Sequence, residues 1–152
     1  MKPRQHRGWV RVRAIANWVN MSTPLGLVLA NLGRAEVRPG PERLWLAEYY
    51  ALGFPKAGAF TVGNVVLIPG RTIDSLASSC PEVLEHEAGH ATQWALCMGL
   101  PFLPLYLLAN AFSWARTGTL HSANIFEIGA DLAKGGYTRA DVRPFWRRLS
   151  AR

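Results

Sequence analysis

The chain has 152 residues, 49% hydrophobic and 18% charged, which suits one domain with one core and excludes a disordered chain. Lys+Arg number 17 against 10 Asp+Glu, a formal net charge of +7. The excess gathers at the two ends, from Lys2 to Arg13 and from Arg139 to Arg152, as solvated basic termini that are also candidates for an anionic surface. Two cysteines, Cys80 and Cys97, exclude a disulfide framework and fit a reducing compartment.

In chain order, residues 1–8 read as a loose basic arm ahead of a single domain over residues 9–152. No apolar run with a small-residue cleavage site follows the basic start, so the expectation is a cytoplasmic protein. Residues 9–20 read equally as helix or strand. Ser22 and Thr23 with Pro24 start a helix that Gly33 stops. Arg38-Pro39-Gly40-Pro41 is a loop. Leu44, Ala47 and Ala51 then suit one face of a helix that opens at Pro41 and ends at Gly53. Ala59 to Val62 and Val65 to Ile68 flank Gly63-Asn64, which reads as a β-hairpin or one extended edge strand.

Pro81 opens a strong helix that runs to about Met98 and closes at Gly99. Residues 91–115 carry no charge, and the stretch between Trp94 and Trp114 is long enough for a membrane span. Gly99, Pro101 and Pro104 interrupt it, so two buried helices meeting at Gly99-Leu100-Pro101 are expected. A membrane or oligomer contact through this stretch is the alternative. Trp94, Trp114 and the stripe from Phe102 to Leu108 read as core. Ser122 caps a third helix that runs to Gly135-Gly136. Thr138 and Asp141 open a last basic helix, restarted at Pro144, whose Phe145 and Trp146 dock on the core.

The chemistry lies in His86-Glu87-Ala88-Gly89-His90. Histidines at i and i+4 share a helix face, so both imidazoles reach one cation. Glu87, beside the first histidine, reaches the water that a catalytic zinc keeps without itself ligating, as a general base must. HExxH on a helix is thus a zinc-hydrolase pattern. Glu85 is expected to face outward.

Further on stands Glu127-Ile128-Gly129-Ala130-Asp131. HExxH followed by helical Glu-x-x-Ala-Asp resembles the gluzincin metallopeptidases. The resemblance implies Glu127 as third zinc ligand and Asp131 as the carboxylate that orients His86, in keeping with the second N–H bond of most metal-bound imidazoles. His121 and Asp131 are the other candidates for third ligand. For the oxyanion of peptide hydrolysis the candidates are His121 first, then Tyr106 and Tyr137. The hairpin is a candidate edge for a peptide substrate to extend.

The expectation is therefore an α+β, predominantly α-helical, zincin-like domain that binds Zn2+ through His86, His90 and Glu127 and hydrolyses peptide bonds with Glu87 and His121. The rivals are a non-catalytic zinc-stabilised protein that binds an anionic membrane or nucleic acid, and an integral membrane protease.

Overall fold

Val65-Val66-Leu67-Ile68 is apolar at every position, the pattern of a strand covered on both faces. In the computed structural model, which describes residues 3–55 and 57–142, that run is β4 (Val65–Pro69), an inner strand of a four-stranded sheet. Its neighbours are β3 (Phe60–Val62), antiparallel across the Gly63-Asn64 turn, and β2 (Trp45–Tyr50), parallel. β1 (Glu36–Pro39) pairs antiparallel with β2 and closes the order β1-β2-β4-β3. The helices are α1 (Pro3–Val19), α2 (Ser22–Leu32), α3 (Ile73–Ala77), α4 (Val83–Leu96), α5 (Phe102–Thr117) and α6 (Ile125–Gly129). The architecture is mixed α/β and mostly helical.

Alternation along β4 divides the core in two. Val66 and Ile68 pack with Leu46, Ile73, Leu76, Val83 and Ala91. Val65 and Leu67 pack with Ala30, Ala47, Trp94 and Phe102. The hairpin turn docks into the corner between α1 and α2. There Asn64 Nδ2 donates to Thr23 Oγ1 (2.9 Å) and to Ala14 O (3.1 Å), and Asn17 Nδ2 donates to Asn64 Oδ1 (2.9 Å) and to Ala91 O (2.8 Å). These buried amides bond one another and so avoid the cost of unpaired polar groups. They fix β3 beside α4.

Several expectations are corrected. The helix expected from Pro41 to Gly53 is a single 3-10 turn, Pro41–Arg43, followed by β2. Leu44, Ala47 and Ala51 have helical spacing, but Trp45, Tyr49 and Tyr50 favour a strand, and pairing between β1 and β4 decides it. The arm expected over residues 1–8 is helical from Pro3. The third helix starts at Ile125 under an Asn124 cap, not at Ser122, and ends at Gly129. Residues 138–142 are not helical, and the expected docking of Phe145 and Trp146 lies outside the described residues.

The break between α4 and α5 falls at Gly99-Leu100-Pro101 as expected. Among the described residues no helix is long and apolar enough to cross a membrane. Trp94 is core, at 1% exposure, but α5 is not a buried helix. Its inward line is Phe102, Tyr106, Asn110, Ser113 and Thr117, which leaves Leu103, Leu107, Leu108, Phe112 and Trp114 exposed.

Glu48 ties the sheet to α3. Its carboxylate accepts from Arg38 Nε (3.0 Å) and Nη2 (2.9 Å) and from the Ile73 amide (2.8 Å). The Arg38 hydrogen bond, against the opposing effect of burial, holds the Glu48 carboxyl below its ordinary value. A depressed carboxyl stabilises the fold above its unfolded pKa of about 4.3, and that stability is lost as pH falls through the folded value. Glu48→Gln is expected to cost about 1–2 kcal/mol at neutral pH, measured by urea unfolding, with the difference from the parent vanishing in acid.

Candidate metal centre

α4 carries both histidines on one face, four residues apart, and buries them: His86 is 2% exposed and His90 7%. Glu127 sits in the first turn of α6, 3% exposed. Asn124 caps that turn, accepting from the Phe126 amide at 2.8 Å, and donates to Asn110 Oδ1 of α5 at 2.8 Å. The three side chains converge. His86 Nε2 and His90 Nε2 stand 3.1 Å apart, with Glu127 Oε2 3.3 Å from the first and Glu127 Oε1 3.5 Å from the second. Of the described residues, these form the one group of three or more His, Cys, Asp or Glu side chains arranged to hold a metal ion.

The hydrogen bonds settle the tautomers. His86 Nδ1 faces the carbonyls of Ala130 (3.1 Å) and Asp131 (2.9 Å), which only accept. His90 Nδ1 faces Gln93 Oε1 (2.8 Å), and the Gln93 amide nitrogen is committed to Phe126 O (2.7 Å). Both Nδ1 atoms therefore act as donors, and in its neutral form each ring turns an Nε2 lone pair toward the other and toward a carboxylate. Glu127 Oε2 is buried and accepts no hydrogen bond. Three facing acceptors are unfavourable in a dry site unless a cation lies between them. Their separations also match the edge of a tetrahedron, about 3.3 Å, for metal–ligand bonds of about 2.0–2.1 Å. The donor set fits a zinc ion.

Electrostatics follow the same geometry. Burial, the largest influence, lowers both histidines, but the Glu127 carboxylate and the Glu87 charge, joined by the Asp131 carbonyl at His86 and by Gln93 at His90, together outweigh it and leave both raised. Burial alone raises Glu127, yet His86, His90 and Tyr106 together hold it well below the usual carboxylate range. Tyr106 of α5 donates its hydroxyl to Glu127 Oε1, and burial with that neighbouring charge pushes its own pKa far up. Glu87, 4% exposed, accepts from Thr61 Oγ1 of β3 at 2.6 Å.

Glycines allow two close approaches. A Cβ at Gly89 would stand 2.9 Å from Ala130 Cα, so the small residue inside the HEAGH motif lets the end of α6 press against α4. A Cβ at Gly135 would stand 2.7 Å from the His86 ring. The chain after α6 thus passes directly over that imidazole.

The structure relocates three expected roles. Asp131 orients His86 through its backbone carbonyl. Its exposed side chain turns back to the Ala133 amide (3.2 Å). The reason is local: Asp131 is left-handed, φ 71°, just beyond α6, so Glu127 and Asp131 do not share a helix face. His121 contributes no donor to the cluster. It stacks on Tyr137 with ring centroids 4.4 Å apart, and Tyr137 in turn lies 5.9 Å from the His86 ring. The hairpin edge is partly taken, because Thr61 O accepts from Trp94 Nε1 at 2.8 Å.

Gln93 and Thr61 are site residues that sequence reasoning missed. Gln93 carried a signal, lying three residues beyond His90 on the same helix face. Thr61 carried none, since only the sheet brings it to Glu87. Glu85 faces outward as expected. A cleft of about 460 Å³ opens on another face of α4, between Trp9, Arg13, Glu85 and Lys134, and none of the three donors lines it. No protein-family model, curated protein or solved structure matches the chain.

Proposed function

We propose that the protein is a zinc-dependent metallopeptidase with Glu87 as its general base. The observation that carries this reading is the convergence of two Nε2 lone pairs and an unpartnered carboxylate oxygen in a buried site next to Glu87. His86, His90 and Glu127 would hold the zinc, which when bound would supply Lewis acidity toward a scissile carbonyl and lower the pKa of water. Glu87 takes the proton of the attacking water as its oxygen bonds the carbonyl carbon, and returns it to the amine nitrogen as the C–N bond breaks. Thr61 holds the Glu87 carboxylate in position for both transfers.

The oxyanion donor in this reading is Tyr137 rather than His121. Tyr137 is the one of the pair beside His86. Its phenol is pushed up to about 12, first by burial and then by the charges of Glu127 and Glu87, so it keeps its proton at neutral pH. Substrate entry in this reading requires the chain from Leu132 to Gly136, which passes over His86 at Gly135, to lift while the Asp131 carbonyl and the Tyr137 ring stay in place. That stretch is tied by Lys134 to Glu85 of α4 and to Glu82 just ahead of it (3.8 Å), and by Cys80 Sγ, before α4, donating to Lys134 O (3.0 Å). Exposed ion pairs of this kind are worth at most about 1 kcal/mol.

Burial of all three ligands favours the other reading, a structural zinc site. Structural zinc has four protein ligands and no open position, and one assay separates the two. The protein is stripped with a chelator, and cleavage of an unbiased peptide library is followed by mass spectrometry as zinc is restored. Loss of cleavage on stripping, with recovery at one equivalent of zinc, is expected. In the same assay Tyr137→Phe should lower kcat about 10²–10³-fold with zinc retained. Tight zinc binding with no peptide cleaved would leave the structural role.

A further inference from the structure

α1 is apolar on its outer face and partly polar on its inner one. Its buried line is Val10, Arg13, Ala14 and Asn17, so a guanidinium and an amide point inward while Val12, Ile15, Trp18 and Val19 are exposed. α5 is similar beyond its first turns, where Ser113 and Thr117 follow Phe102 and Tyr106 on the inward line while Leu103, Leu107 and Phe112 point outward. A helix of a soluble core does the reverse.

The two helices come together at their ends. Gly99 lies against Asn20, where an added Cβ would stand 2.8 Å from Asn20 O, and Asn20 Nδ2 donates to Trp94 O at 3.4 Å. The α1–α2 turn and the α4–α5 turn are therefore side by side. Together they present Val19 (77% exposed), Met21 (63%), Leu96 (66%), Met98 (77%) and Leu100 (59%). From this apolar tip, Val19, Ile15 and Val12 run back along α1 at helical spacing, and Leu100, Leu103 and Leu107 run along the start of α5. Such a patch marks an interaction surface.

Charge selects its occupant. All ten acidic residues lie outside 1–35 and 88–126, the stretches that hold α1, α2 and α5. Arg11 on α1 and Arg116 on α5 are exposed. A second copy of this +7 chain would bring basic face to basic face, whereas an anionic surface neutralises it. Apolar faces with exposed Trp and Arg and no acid are the composition of helices that lie in the plane of a bilayer interface. No helix among the described residues can span one.

We propose that the apolar tip and the adjoining outer faces of α1 and α5 dock in the interface of an anionic lipid bilayer. The test is flotation of the full chain with vesicles of equal parts phosphatidylcholine and phosphatidylglycerol, against phosphatidylcholine alone. Recovery with the anionic vesicles is expected, weaker with the neutral ones and weaker as salt shortens the screening length from about 10 Å at 0.1 M to about 3 Å at 1 M. Met98→Glu with Leu100→Glu should reduce vesicle affinity at least about tenfold, since each loses an apolar side chain to the interface. Circular dichroism checks the fold of this variant. Val12→Glu with Ile15→Glu, on the exposed line of α1, is the second variant and should behave alike. Absent flotation, equal recovery with neutral vesicles, or unchanged recovery in both variants would overturn the proposal. So would a dimer that the same substitutions dissociate, because the face would then join two copies.

Discussion

Glu87→Gln is expected to keep one zinc per chain while peptide hydrolysis falls about 10²–10⁴-fold, the usual worth of a positioned general base. The side chain is buried and anchored by Thr61 Oγ1, and it is absent from the group that converges on the metal position. Glutamine has nearly the same shape and still accepts the Thr61 hydrogen bond through its amide oxygen. The substitution therefore removes proton acceptance and little else. Zinc is read by atomic absorption on the dialysed variant, and turnover on whichever peptide the parent cleaves best. Loss of zinc from the variant would make Glu87 a ligand, and undiminished turnover with zinc bound would mean that it is not the base.

Glu127→Ala is expected to abolish tight zinc binding. Loss of a partner that merely orients a ligand costs about 10–100-fold in metal affinity, and loss of a ligand should exceed that, so a fall of more than about 100-fold is expected in a competitive chelator titration. Stability gives an independent readout. Zinc at 100 times its dissociation constant stabilises a folded protein by about 2.7 kcal/mol. The parent's Tm should thus rise on adding zinc, while that of the variant stays put. The substitution also frees the Tyr106 hydroxyl and leaves two Nε2 lone pairs facing each other at 3.1 Å. A Glu127→Ala protein that bound zinc as tightly as the parent would assign the third ligand elsewhere.

Much of this site was legible in the sequence because its signals are local. His86, Glu87 and His90 share one helix face, and the glycine and proline that bound α4 and α5 are explicit at Gly99 and Pro101. The Gly63-Asn64 hairpin was legible for the same reason. Glu127 was legible only through the resemblance of its Glu-x-x-Ala-Asp run, downstream of HEAGH, to a known metallopeptidase motif.

What failed depended on tertiary structure. Leu44, Ala47 and Ala51 have a helical period, yet the partners of β2 come from β1 and β4, remote in sequence, and they override it. Asp131 was given a side-chain role because a helix was carried past Gly129. The chain instead turns left-handed at that residue and offers His86 a carbonyl. Hydropathy placed Trp114 and the whole Phe102–Leu108 stripe inside, where only Phe102 and Tyr106 of these pack on the core. It scores the apolar residues of α5 alike and gives no sign that Ser113 and Thr117 are the ones facing inward.

Diffraction at the zinc absorption edge bears most directly on the triad of His86, His90 and Glu127. One anomalous peak per chain is expected, within about 2.0–2.2 Å of His86 Nε2, His90 Nε2 and a Glu127 oxygen. No peak between those atoms in zinc-soaked crystals, or a peak ligated by other side chains, would contradict it.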